Sequence, residues 1–166
     1  MLYMANYSSP IGIIDLFSDG VGLIGLYTSP QTKRKILSDK AQDGSTLDVL
    51  QQTKSWLDIY FSGNNPSFLP LLRPSGTPFQ LEVWRLLKTI PYGQVDTYGH
   101  LAKILAAKRL SQKMSARAVG QAVGANPISI IIPCHRVIGS QHNLTGYAGG
   151  LDIKRQLLAL ECNYFL

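Results

Sequence analysis

Cysteine and histidine are scarce in this 166-residue chain, two of the first and three of the second, and the N-terminal half contains neither. Two cysteines do not make a disulfide framework, and a reducing compartment suits them. There is no CxxC or HxxxH pair and the histidines are scattered, so no metal site is expected. No apolar run approaches the roughly 18 residues needed to span a bilayer. Met1-Leu2-Tyr3-Met4 lacks the basic segment and apolar block of an export signal. The expectation is a cytoplasmic protein with no membrane contact and no cofactor. Charge is also sparse, 16% of residues against 45% hydrophobic, which excludes a disordered chain and leaves a core to bury in one domain or two small ones. Acidic residues are absent between Asp96 and Asp152, whereas Lys103, Lys108, Arg109, Lys113, Arg117 and Arg136 all fall inside that interval. Within a net charge of +6, this one-sign piece reads as a phosphate-seeking surface, with a merely solvated basic face as the alternative.

What is present is concentrated in Ile130-Ile131-Ile132-Pro133-Cys134-His135-Arg136-Val137-Ile138. A thiol, an imidazole and a guanidinium stand side by side between two β-branched runs. Cysteine attacks as the thiolate, which a cation or a hydrogen-bonding base favours. Pro133 cannot donate to a sheet, so an apolar strand over 130–132 is expected to end there, with Cys134 on the following turn. A buried, inert cysteine is the competing reading.

Upstream, Ile11–Phe17 and Val21–Tyr27 read as a hairpin about a Ser18-Asp19-Gly20 turn. After a polar loop, Leu47, Leu50, Leu57 and Phe61, flanked by Trp56 and Tyr60, recur at helical spacing from about Thr46 to Ser62-Gly63. This is a small α+β unit without a catalytic constellation. Asn64 to Gly76, rich in Pro, Asn, Ser and Gly, reads as a linker, which divides the chain into a supporting domain, 1–75, and a second domain, 76–166.

The second domain opens with Thr77-Pro78-Phe79-Gln80, a capping threonine, a proline at the first helical position and a glutamine completing a capping box. Thr97 is placed to cap a second helix over 98–105, and Ser115 a third over 116–123. Two short helices separated by a turn, the second opening with Arg117 and lined with Ala and Gly, predict a helix-turn-helix. Ala116 and Gly120 would let its backbone come close to whatever it docks on; tight helix packing is the alternative. Pro127 forces Asn126 out of helical geometry, where its amide can tie the turn together. The glycines of Gly146-Tyr147-Ala148-Gly149-Gly150 predict a flexible loop. Glu161, at a helix C-terminus against the dipole, is locally unfavourable and calls for a partner, for which His135 is a candidate; a surface charge is the alternative, and the residues alone favour it. Cys162 is expected to pack.

The residues Pro133-Cys134-His135-Arg136, with Ser115-Ala116-Arg117-Ala118-Val119-Gly120 and Asn126-Pro127 before them and Gly146-Tyr147-Ala148-Gly149-Gly150 and Glu161 after, match one family in order and spacing. The chain resembles the methylated-DNA-protein-cysteine S-methyltransferases, repair proteins that take an alkyl group from guanine O6 onto their own cysteine. The resemblance implies an α+β fold with a ribonuclease-H-like N-terminal domain and a mainly helical, winged-helix-like DNA-binding domain. It implies transfer to Cys134 from O6-alkylguanine, with O4-alkylthymine a further candidate substrate, once per molecule, by a monomer. The partner would be double-stranded DNA, bound in the minor groove with the guanine flipped. Cys134 would be the acceptor, and Glu161, His135 and a water would relay its proton, with Asn126 as a hinge. Arg117 would fill the vacated stack, and Tyr98 would act on the target phosphate and guanine N3. Tyr98, Cys134, Val137, Tyr147 and the Ala148 N–H would form the guanine pocket. The basic stretch between His100 and Arg117 is longer than in some relatives, and its Lys108 and Arg109 are expected to add phosphate contacts, with Arg136 also expected on the DNA surface. Some relatives carry serine at the Ala148 position and a second proline at the Ser129 position. A non-catalytic lesion-binding relative and a Cys-His hydrolase are the competing functions; the first typically lacks the acceptor cysteine, and the second leaves the helix-turn-helix unexplained.

Overall fold

The computed structural model describes residues 1–28, 32–110 and 113–162. The chain divides into two compact units, Met1–Ser75 with Pro127–Ser129, and Gly76–Asn126 with Ile130–Leu166. The architecture is α+β, with the sheet in the first unit and a mainly helical second unit.

In the first unit, β1 (Tyr3–Ser9), β2 (Gly12–Ser18), β3 (Leu23–Tyr27) and β4 (Gln42–Asp43) form one sheet in the order β3-β2-β1-β4. The β2–β3 pair is the expected hairpin, and Asp19 Oδ1 accepts from the Val21 and Gly22 N–H groups at 2.9 Å to shape its turn. Strand β1 was not expected. Asn6, Ser8 and Ser9 give it little strand character of its own. Its antiparallel register with β2 supplies the backbone partners, and Asn6 Nδ2 donates to the buried Asp15 carboxylate at 2.6 Å. Helix α1 (Thr32–Ser38) replaces part of the predicted polar loop and brings Arg34 onto the same carboxylate.

Helix α2 (Asp48–Phe61) covers the sheet. Its buried stripe is Val49, Leu50, Thr53, Trp56, Leu57 and Tyr60 rather than one centred on Leu47 and Phe61, which are only half-buried. Trp56 and Tyr60 stack with centroids 5.3 Å apart, so the predicted flanking aromatics are core.

The second unit begins with α3 (Pro78–Leu87), whose Thr77–Gln80 capping box forms in full. Helices α4 (Tyr98–Lys108) and α5 (Ala116–Gly124) are capped by the Thr97 and Ser115 hydroxyls, which accept from the His100 and Ala118 N–H groups. Trp84 Nε1 donates to the Ala122 carbonyl at 2.8 Å and ties α3 to α5 beneath this pair. Strands β5 (Asp96–Thr97) and β6 (Val137–Ile138) pair in parallel, and helix α6 (Leu151–Cys162) closes the unit. Ser111 and Gln112, in the predicted basic stretch between α4 and α5, lie outside the described residues.

The apolar run before the cysteine is buried, but it is not a strand. Ile128 makes one bridge to Leu26 of β3, and Ile130 then adopts φ +70°, a left-handed backbone that turns the chain. The run is bounded by Pro127 and Pro133, neither of which can donate a ladder hydrogen bond, and its isoleucines are buried by turn formation instead.

Candidate active site

Pro133, at φ −81° and ψ 65°, forms an inverse γ-turn in which the Cys134 N–H donates to the Ile132 carbonyl at 2.8 Å. That carbonyl also accepts from Asn126 Nδ2 at 2.8 Å. Asn126, expelled from α5 by the following proline, thus stitches the end of that helix to the residue before the turn. Cys134, His135 and Arg136 make a single turn of 3-10 helix that passes directly into β6, and all three are buried.

Only 6% of Cys134 is exposed. Burial pushes its thiol up, while a hydrogen bond from the Asn126 side chain and the positive charge of Lys154 pull it back. Lys154 is fully buried, and its Nζ donates to the carbonyls of Val137, Thr145 and Gly146. Burial lowers this ammonium to about 8, partly offset by attraction to Cys134. Lys154 belongs to none of the sequence motifs that mark the site. The signal was its place in α6: Lys154, Leu157, Leu158 and Glu161 follow i, i+3, i+4, i+7, so two charged groups share the stripe of the two buried leucines.

At the other end of that stripe, His135 Nε2 lies 2.7 Å from Glu161 Oε1, with both side chains fully buried. Burial alone would raise the carboxyl, but His135 and Arg136 outweigh it and hold Glu161 down to about 2. Burial conversely pushes the imidazole below its ordinary value, with Arg136 and Lys154 adding to that and Glu161 opposing it. A carboxylate accepting from Nε2–H leaves Nδ1 as the basic nitrogen of the ring.

Arg136, expected on the phosphate surface, is 8% exposed and turned inward. Its Nε and Nη2 donate to Glu161 at 2.9 and 3.0 Å, and Nη1 donates to the Ile90 carbonyl at 2.8 Å. The buried carboxylate recruits the nearest guanidinium, which a sequence-level count of surface charge does not anticipate.

Val137 is fully buried, Tyr98 and Tyr147 are half-buried, and Ala148 is exposed. Tyr98 donates from its hydroxyl to the Thr145 carbonyl at 3.1 Å and is near the Gly146 carbonyl at 3.4 Å. The phenol and Lys154 therefore grip the same two carbonyls just before Tyr147. Gly120 of α5 faces the Tyr98 ring, where an added methyl would make only ordinary contact, so packing against Tyr98 does not require a glycine. On α5, Ala116 and Arg117 are exposed, as is Lys108 at the end of α4. Arg109 donates to Glu82 at 2.6 Å and lies 5.2 Å over the Phe79 ring, so its charge is partly compensated. Among the described residues no cluster of three or more His, Cys, Asp or Glu could hold a metal ion, and no helix is long and apolar enough to cross a membrane.

A mainly helical unit that carries a buried thiol beside a His–Glu–Arg network points to a narrow class of protein, and comparison with known families gives it a name. Residues 2–71 match the model of the 6-O-methylguanine DNA methyltransferase ribonuclease-like domain, and residues 78–163 that of its DNA binding domain. The methylated-DNA-protein-cysteine methyltransferase of Methanosarcina acetivorans is 43% identical over 160 residues, covering 96% of this chain and 98% of that protein. Its Haemophilus influenzae counterpart is 40% identical, with 96% and 86% covered. The crystal structure of Mycobacterium tuberculosis OGT in complex with DNA aligns at a TM-score of 0.82 and 40% identity, covering 97% of this chain and 93% of that one. The chain belongs to the methylated-DNA-protein-cysteine methyltransferase family.

Proposed function

We propose that this protein repairs DNA by moving the alkyl group of O6-alkylguanine irreversibly onto Cys134. The observation that carries this reading is the buried thiol of Cys134, flanked by Asn126 and Lys154 on a turn whose next residue is a histidine oriented by a carboxylate. The sulfur attacks the alkyl carbon in line as the carbon–O6 bond breaks. The thiol proton passes to His135 Nδ1, directly or through a water, and returns to the departing guanine. Burial disfavours a resting thiolate, so the ammonium of Lys154 and the Asn126 amide act most as negative charge develops on sulfur. An S-alkylcysteine has no readily hydrolysed bond, so each molecule acts once.

A base inside a duplex cannot reach a thiol as enclosed as this one, so the nucleotide is flipped. Arg117, exposed at the start of α5, fills the gap from the minor groove, and Lys108 contacts phosphate. Tyr98, Val137, Tyr147 and the Ala148 N–H receive the guanine, with Tyr98 directed at N3. O4-alkylthymine is a second substrate to assay, and the working unit is a monomer.

The test is the intact mass of the protein after incubation with excess duplex carrying one O6-methylguanine. One added methyl per chain, mapped to Cys134 and absent in Cys134→Ser, is expected. Lesion-selective binding without mass gain overturns the transfer in favour of a lesion sensor, and repeated turnover without a lasting adduct would indicate a hydrolase.

A further inference from the structure

Arg136 stands next to His135, which stands next to the thiol, yet its guanidinium faces away from solvent. It grips Glu161 side-on, Nε to Oε2 at 2.9 Å and Nη2 to Oε1 at 3.0 Å. Its third nitrogen donates to the Ile90 carbonyl, and its central carbon lies 5.8 Å from the centroid of the Tyr92 ring. Glu161 also accepts from His135 Nε2 at 2.7 Å and from the Gly93 N–H at 3.3 Å. Four donors thus occupy two oxygens, about as many as a carboxylate can accept. The charge of the carboxylate is already balanced before His135 is considered. Such a group can orient the imidazole but offers no place for a proton, and Arg136 offsets part of its attraction for an imidazolium.

We propose that Arg136 is a positioning residue of the transfer reaction: it holds Glu161 as a permanent, compensated carboxylate, so that the Cys134 proton stops on His135 and the imidazole stays neutral until that proton arrives. This rests on the alkyl-transfer reading above. As the sulfur–carbon bond forms and the carbon–O6 bond breaks, Nδ1 takes the thiol proton and returns it to guanine; no proton rests on Glu161 at any stage. The titratable and charged groups around His135 are Glu161 and Lys154 from α6 and Cys134 and Arg136 from its own turn, with Tyr92 beyond Arg136. Burial comes first in holding the imidazole below its ordinary value; Glu161 opposes it, and Arg136 and Lys154 offset part of that opposition. Without Arg136, Glu161 acts uncompensated on the imidazole and keeps it protonated to higher pH, which removes the base.

The experiment measures methyl transfer from a duplex carrying one O6-methylguanine, across the range in which an imidazole titrates. It uses the full chain as wild type and as Arg136→Met, Arg136→Gln and Arg136→Lys. The acid limb of the two neutral variants is expected to move up by about one pH unit, a roughly tenfold slower transfer on that limb, with Arg136→Lys moving it back towards wild type. Thermal melting identifies which variants are folded, and two neutral replacements guard against the failure of one. Affinity for undamaged duplex should keep its wild-type salt dependence, because a buried guanidinium releases no counterions. Superimposable pH profiles in a folded neutral variant overturn the proposal, as does a flattened salt slope, which would return Arg136 to the DNA surface. A wild-type chain that gains no methyl at any pH overturns the alkyl-transfer reading instead, so the two failures are distinguishable.

Discussion

Replacing Glu161 with glutamine tests the buried network as a source of stability. Folded Glu161 is held at about 2 against an ordinary 4.5, so between those values the folded chain binds fewer protons than the unfolded one. The contribution of this carboxylate is therefore complete above pH 4.5 and is lost as the pH falls through about 2. At about 1.4 kcal/mol per pH unit, the gap corresponds to about 3 kcal/mol. Breaking one side of a buried ion pair costs about 3–5 kcal/mol by a separate route, and the two figures agree in size. Glu161→Gln keeps the shape but leaves the Arg136 guanidinium buried against an amide, whose N–H groups cannot all be turned away from it. Urea unfolding at neutral pH should show the variant about 3 kcal/mol less stable than wild type. The decisive quantity is the difference between the two proteins as the medium is acidified, because other acidic groups such as Asp19, held low by backbone N–H groups and by Arg73, titrate equally in both. That difference should shrink towards zero between pH 4.5 and about 2. A difference that stays constant with pH, or one below about 1 kcal/mol at neutrality, would refute the assignment of Glu161 as a buried, ionised carboxylate.

Asn126→Ala removes one of two donors from the Ile132 carbonyl, so unfolding measurements should show a loss of only about 1–2 kcal/mol, while iodoacetamide labelling of Cys134 should shift to higher pH because the thiol loses its amide partner. An unchanged labelling profile would detach Asn126 from the sulfur. Lys108→Ala should lower the slope of log affinity against log salt by about one for undamaged duplex, whereas Arg109→Ala, already paired with Glu82, should change it less. Equal effects would mean that the Glu82 pair opens on DNA. Arg117→Ala should slow transfer from duplex DNA far more than transfer from free O6-methylguanine base, since only the duplex has a stack to fill; equal slowing would place Arg117 in the chemistry instead.

Local chemistry was legible where it acts within a few residues. The Thr77–Gln80 box and the Thr97 and Ser115 caps are self-contained devices, and each forms as the sequence implies. Strand β1 and helix α1 were not legible, because their state is set by partners elsewhere, the β2 backbone for one and the Asp15 carboxylate among those of the other. The β-branching of the Ile130–Ile132 run predicts a strand, but it is a preference for a half-buried surface that a tightly turned, buried segment also satisfies. In the site, the proximity of Glu161 and His135 follows from the family resemblance, since a helix-end carboxylate read alone is more often a surface charge. The inward turn of Arg136 and the burial of Lys154 did not follow, since charge in a sequence is read as solvent-facing until a buried counterpart is known.

Helix α6 has a bearing on how the protein matures. Lys154 and Glu161 both follow Cys134 in the chain and are synthesised after it. Until α6 has packed against the 3-10 turn, the thiol has no ammonium beside it and the imidazole has no carboxylate to orient it. A nascent or partly unfolded chain carries an ordinary cysteine, and the directed nucleophile is assembled when the last described helix docks. For a protein whose sulfur serves once, biogenesis then includes an activation step, in which completion of the fold and acquisition of reactivity are one event.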